Sequence, residues 1–345
     1  MKSMLMNLAE QGRLPDPAIR VGIRKLLKSR LALLDREGET TEQLIDRLQN
    51  EPIAIATDAA NEQHYEVPTR FFMKVLGPRM KYSSCIWPEG VESLADAEKA
   101  MLDLTCQRAD IHNGMDILEL GCGWGSLTLW MAEQYPTARI LAVSNSATQR
   151  AHIETQAVDR GLCNIEVRTC DMNDFEPGRR FDRIVSVEMF EHMRNPGKLL
   201  DRSAGWLKPD GKVFIHIFTH DGKPYLFENH GREQDWMSKY FFTGGMMPSM
   251  DYLPKATVKL DVEETWRVNG KHYARTLETW LNRQDAAAES LLPILEKGYG
   301  SGARLWAQRW RMFWMACAEL FAYRDGEEWP VHHYRFRLKD SGESK

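Results

Sequence analysis

Between residues 116 and 218 short apolar runs alternate with amphipathic stretches, and this constrains the fold more than any other feature of the chain. The runs are "DILEL", "RILAVS", "IEVRTCD", "DRIVSV" and "KVFIHIF". Helical spacing lies between them from about Ser126 to Gln134, Ala147 to Arg160 and Pro196 to Leu207. Strands apolar on both faces must be covered on both, and a strand followed by a helix returns parallel to its predecessor. The pattern predicts an α/β fold with a doubly wound parallel sheet.

The flanks read differently. Residues 1–60 form a helical extension: Ile19, Ile23, Leu26 and Leu27 fall at helical spacing, with Arg20, Arg24, Lys25 and Lys28 between them. That face either packs on the main domain or rests on anionic lipid. Residues 61–220 form the core domain, entered through "SLADAEKAMLDLTCQRADI", a helix with Ser93 as its cap and Asp96 three positions on. Residues 221–345 hold aromatic loops, a strand-like "TVKLDVEETWRV" and a long tail helix, "ARLWAQRWRMFWMACAELFAY", read as a lid or as the last core helix.

The 345 residues can bury a large core, and 43% hydrophobic with 27% charged residues is ordinary for a globular protein. A net charge of -4 and no basic stripe argue against nucleic acid as a partner. The six cysteines form no C-x-x-C pair and no metal-ligand spacing, so we expect no metal and a reducing cytosol. The amino terminus has no apolar signal-peptide core and no run approaches eighteen apolar residues, which predicts no stable membrane insertion. A homodimer is left open.

Two short stretches carry chemistry. "DILEL" ends in "GCGWGS", placing Gly121, Gly123 and Gly125 where a strand turns into a helix and a ligand can approach the backbone. A dinucleotide fingerprint would want glycine at Ser126 and an acidic residue after the second strand, where the chain has Ser144-Asn145-Ser146. The turn therefore points to an adenosyl cofactor held without that acid. The second stretch is "VEMFEHM", which follows an apolar strand with Glu188, Glu191 and His192. If it is helical, all three share one face at a strand end where ligands bind.

"ILELGCGWG" resembles the first motif of class I S-adenosylmethionine (SAM) methyltransferases. "HYEVPTRFF", "KYSSCIW", "AVSNSATQ", "VEMFEHM", "GKHYARTLETWL" and "YRDGEEW" extend the resemblance over roughly residues 60–330, to the superfamily that joins cyclopropane fatty acid synthases with plant coclaurine-type N-methyltransferases. The resemblance implies a Rossmann-like methyltransferase core. It implies that Tyr82, Ser83 and the backbone of Gly121 and Gly123 meet the methionine part of SAM, Asn145 and Gln149 its ribose, and Asp171 with Met172 its adenine. Glu188, Glu191 and His192 match the E-x-x-E-H pattern of the amine methyltransferases, and imply an ammonium trap and base for a small cyclic or aromatic amine. Tyr65, Trp310 and Phe313 match positions that line the amine pocket. The rival expectation is C-methylation of an unsaturated acyl chain. His216 favours it, whereas Glu188 stands where cyclopropane synthases carry a small residue, and Cys85 lies one position beyond their cysteine, which stands at Ser84. His216 and His220 otherwise read as strand-end histidines with structural partners.

Overall fold

The computed structural model describes residues 2–55, 68–229 and 235–340. Five strands run parallel, β1 (Asp116–Leu120), β2 (Arg139–Ser144), β3 (Ile165–Thr169), β4 (Phe181–Val187) and β5 (Leu207–Phe218). Two more, β8 (Leu260–Val268) and β9 (Val331–Leu338), join antiparallel, completing the order β3-β2-β1-β4-β5-β9-β8. A small separate hairpin pairs β6 (Tyr225–Leu226) with β7 (Met246–Met247). The order reverses between β1 and β4. At that switch point the turns leaving the two strands diverge and open a crevice for ligand.

The expected alternation is present. β1 is buried along its whole length, as its uninterrupted apolar run requires. Ser93 caps the helix Leu94–Arg108 by accepting from the Asp96 amide, and glycine precedes the helix Ser126–Gln134 in the left-handed region. β9 enters between β5 and β8 although it comes last in the chain, an insertion that periodicity alone does not reveal.

The amino-terminal helices Lys2–Glu10, Asp16–Glu37 and Thr41–Leu48 lie against the rest of the protein. Arg20 bonds Glu278 at 2.6 Å and Glu319 at 3.1 Å, and Arg24 bonds Glu319 at 2.8 Å. Two of the arginines that suggested a lipid-facing helix are thus turned onto the helices Lys271–Ala286 and Ala303–Ala322. Those two helices, with Ala288–Tyr299, form a cap over the carboxyl ends of the strands around an aromatic core of Phe71, Phe72, Trp280, Trp310 and Trp314. Among the described residues no helix is long and apolar enough to cross a membrane.

Candidate active site

One cavity runs along the carboxyl ends of β1, β2, β3 and β4, and its walls bring together most of the residues singled out above. Gly121 has φ +76° and Gly123 φ +51°, values that L side chains rarely adopt. A Cβ on Gly121 would lie 2.4 Å from Met189 Cγ, so the turn after β1 packs directly on the segment leaving β4. A Cβ on Gly123 would meet no protein atom within 4 Å. Gly123 instead borders the cavity, leaving its backbone open to a ligand. Ser126 Oγ, at the head of the following helix, is buried on the same wall without a protein partner.

The far end of this half is polar. Ser144 Oγ donates to Gln149 Oε1 at 2.7 Å, and Ser146 caps the helix carrying Gln149. Asp171 accepts from the Asn173 amide at 2.7 Å, fixing its carboxylate at the end of β3 beside Met172. Asn145, Gln149, Asp171 and Met172 all line the cavity, as do Tyr82 and Ser83. Glu119 also faces it. Burial pushes its carboxyl up to about 8, and the Thr128 hydroxyl that donates to it offsets only part of that rise.

At the other end "VEMFEHM" does not form the α-helix that its spacing predicts. Glu188 has φ +47°, a left-handed conformation that costs a non-glycine residue about 1–3 kcal/mol. A single 3₁₀ turn, Phe190–His192, follows. The kink turns the Glu188 carboxylate into the interior, where its side chain is only 6% exposed. Three groups converge on it. The Ser84 amide donates to Oε1 at 2.8 Å, the Tyr273 hydroxyl to Oε2 at 2.6 Å, and His216 Nε2 lies 3.2 Å from Oε1. The Lys81 ammonium is buried nearby, bonded to Ser83 Oγ and the Ser84 carbonyl.

Burial raises the carboxyls of both Glu188 and Glu191 above the usual range, but their surroundings differ. Lys81, Tyr273 and the Ser84 amide pull Glu188 back down. Glu191 feels the charge of Glu188 besides its own burial, is offset only by a backbone N–H, and has Oε2 buried without a partner. The surroundings of Glu191 thus favour its protonated form more than those of Glu188 do. His192, half-exposed, stacks on Phe242 with centroids 4.9 Å apart.

Apolar groups close this end, among them Phe227, Met247, Phe242, Phe313 and Phe321. Phe313 is on the wall, whereas Trp310 lies one layer behind, wholly buried between Phe71, Phe241 and Trp314. The expectation that both line the pocket is corrected for Trp310: the cavity-facing row of this helix runs through Phe313, Cys317, Leu320 and Phe321, and one turn before Phe313 the Phe71, Phe241 and Trp314 rings enclose Trp310 instead. Tyr65 lies outside the described residues. Sequence reading overlooked Lys81 and Tyr273, each inside a quoted motif but chemically unremarkable until folded against Glu188. His216 was read as a strand histidine with a structural partner, and its partner is Glu188. Cys85 is buried, with its thiol pushed up to about 12 by desolvation, and it does not border the cavity.

The mycolic acid cyclopropane synthetase family matches residues 55–329. The chain is 35% identical to (S)-coclaurine N-methyltransferase of Thalictrum flavum subsp. glaucum, over 97% of this chain and 95% of that one. It is 30% identical to cyclopropane-fatty-acyl-phospholipid synthase of Escherichia coli (strain K12), over 78% of this chain and 66% of that one. The crystal structure of coclaurine N-methyltransferase bound to N-methylheliamine and SAH superimposes with a TM-score of 0.92 at 33% identity, covering 97% of this chain and 99% of that one. The mycolic acid cyclopropane synthase CmaA1, at 22% identity and TM-score 0.69, shares the fold. The open glycine backbone, the orphaned Ser126 hydroxyl and the polar far wall suit the cofactor that these matches imply, and the chain belongs to the mycolic acid cyclopropane synthetase family of SAM-dependent methyltransferases, with the fold of the class I enzymes and a close likeness to coclaurine N-methyltransferases.

Proposed function

We propose that the protein N-methylates a small, largely apolar cyclic or aromatic amine, with Glu188 as the anchor for its ammonium form. The carrying observation is a buried carboxylate, held by three groups, at the inner end of an apolar pocket and against the glycine turn. Tyr82, Ser83 and the backbone of Gly121 and Gly123 would hold the methionine part of the cofactor, Asn145 and Gln149 its ribose, and Asp171 with Met172 its adenine. SAM supplies an electrophilic methyl group for direct displacement by a nitrogen lone pair.

The chain's own residues have to present that lone pair. An amine with a pKa near 10.4 is neutral in about one molecule per thousand at pH 7, a penalty of roughly 4–5 kcal/mol. Glu188 attracts the cation into the apolar pocket, and its partners fix the direction of the remaining N–H bond. His192, half-exposed at the cavity wall, accepts the proton and returns it to solvent. Glu191, whose burial and the charge of Glu188 both favour its protonated form, would add no second charge to the pocket. Phe227, Phe242 and Phe313 exclude water and offer ring faces to the cation. The free thiols of all six cysteines support a cytosolic setting.

The acyl-chain alternative is less well supported. A cyclopropane-type site would need donors for an added bicarbonate ion, and here Ser84, Tyr273 and His216 are already engaged by the carboxylate of Glu188. The two readings separate by supplying methyl-labelled SAM to secondary and tertiary cyclic amines and, in parallel, to unsaturated phospholipid vesicles. Label should appear in the amines. Glu188→Ala should lower amine turnover by about 10²–10³ with SAM affinity within a few-fold. Label in the lipid, or unchanged amine turnover in the variant, would overturn the assignment.

A further inference from the structure

In line behind Glu188 and its partner His216 lie two polar groups, His333 and Arg108, that the reaction outlined above does not use. His216 on β5 and His333 on β9 are register partners, and their rings approach to 4.4 Å between centroids. Both are fully buried. Arg108, at the end of the helix Leu94–Arg108, reaches His333 Nδ1 at 2.8 Å from below, and its guanidinium lies 5.1 Å over the ring of Trp266, the next residue across on β8. Phe214 packs edge-on against His333. One nitrogen on each ring has no partner, Nδ1 of His216 and Nε2 of His333.

The proton positions follow from the ends of the line. A guanidinium only donates, so His333 Nδ1 must accept, and its proton sits on Nε2. A carboxylate only accepts, so His216 Nε2 carries its proton, and Nδ1 is bare. The two leftover nitrogens on the adjoining rings are then one donor and one acceptor. Were His216 in the other tautomer, two unpartnered N–H groups would be buried side by side and the Glu188 carboxylate would face a bare nitrogen, which is unfavourable on both counts.

We infer that Arg108 and His333 are positioning residues that act through His216, holding it in the tautomer whose Nε2–H points at Glu188. Arg108 donates to His333 and His216 donates to Glu188, while between the two rings, whose centroids lie 4.4 Å apart, the His333 Nε2–H and the bare His216 Nδ1 meet without a hydrogen bond and act on each other only as neighbouring dipoles. At the end away from Glu188 stands a guanidinium, which cannot take a proton, so the line orients the carboxylate and does not carry protons away. Burial keeps both rings neutral, with the charges of Lys81 and Arg108 acting in the same sense. The titratable and charged groups facing the two rings are Lys81, Arg108, Glu188 and His332. The role of Glu188 as the amine anchor is taken from the proposal above, while the tautomer assignment stands without it.

The test is ¹⁵N NMR of histidine-labelled, SAH-saturated enzyme, paired with steady-state kinetics on whichever acceptor is methylated. Wild type should show His216 as a single Nε2–H tautomer. In His333→Phe and Arg108→Met the His216 signals should move toward a mixture, kcat should fall about tenfold with KM for SAM unchanged, and the acid limb of the kcat profile should move to higher pH. Arg108→Lys, which keeps a donor at His333, should restore both signals and rate. Should His333→Phe fail to fold, as judged by circular dichroism, the Arg108 pair carries the test. His216 signals unchanged in Arg108→Met, or a rate loss that Arg108→Lys does not rescue, would overturn the inference. Tautomer shifts as expected with no amine methylated by wild type would leave the line standing and remove the amine reading instead.

Discussion

The two ends of the cavity solve the problem of binding in different materials. The cofactor end is made of backbone: left-handed glycines after β1, a capped helix after β2, and a carboxylate held by its own turn after β3. The acceptor end joins four remote parts of the chain at one carboxylate: the side chains of Glu188, His216 and Tyr273 and the backbone amide of Ser84. Backbone sites need few residue types at fixed spacing. Side-chain sites need a particular tertiary arrangement, and their parts can be far apart in sequence.

That contrast breaks most readily at Gly123. A valine there has φ +51° to adopt and puts its branches into the open space beside Gly123, where the turn borders the cavity. Gly123→Val should weaken SAH binding by more than about 100-fold in calorimetry, with the fold retained by circular dichroism, because no protein atom is displaced. Retained affinity would mean that the cofactor does not lie on this turn.

A smaller effect sharpens the comparison between the buried carboxyls, Glu119 at one end and Glu191 at the other. Glu119 is neutral in the folded protein up to about pH 8 but ionises near 4.3 in the unfolded chain. Between those values the folded state binds the extra proton, so this group makes the free protein less stable as pH rises. Glu119→Gln should remove that slope and stabilise the free enzyme at pH 7 by on the order of 2–4 kcal/mol. Chemical denaturation at pH 5 and pH 8 measures it; an unchanged pH dependence would place the titration elsewhere.

The smallest effect separates wall from core within one helix. Phe313→Leu should raise KM for the amine about fivefold, since roughly 1 kcal/mol of ring contact is lost, with little change in melting temperature. Trp310→Phe should do the reverse, lowering the melting temperature while leaving KM alone, because its ring fills the layer behind. An amine KM that moves with Trp310 would restore it to the pocket.

Much of the fold was legible. Apolar runs such as "DILEL" and "DRIVSV" are strands because both faces must be covered, and Ser93 starts its helix because its hydroxyl accepts from the third amide on. The glycine turn was legible for the same reason, as its chemistry is local. The charged segment was legible only as composition. Its spacing suggested a helix, but packing of Met189 on Gly121 and the pull of three groups on Glu188 bend it into a left-handed residue and a 3₁₀ turn. Lys81 and Tyr273 gave no sign of their roles, because a lysine and a tyrosine have no special chemistry until burial beside a carboxylate supplies it.

The sequence by itself determined the alternation of strands and helices that makes the layered sheet and the backbone cradle at the end of its first strand, since each depends on residues close together in the chain. Only the tertiary structure decided which aromatic residues form the pocket wall, which of two neighbouring glutamates has surroundings that more favour its protonated form, and which histidine stands behind Glu188. Those outcomes depend on burial and on donors from distant strands and helices, and electrostatics in a dry interior is set by what surrounds a group in space.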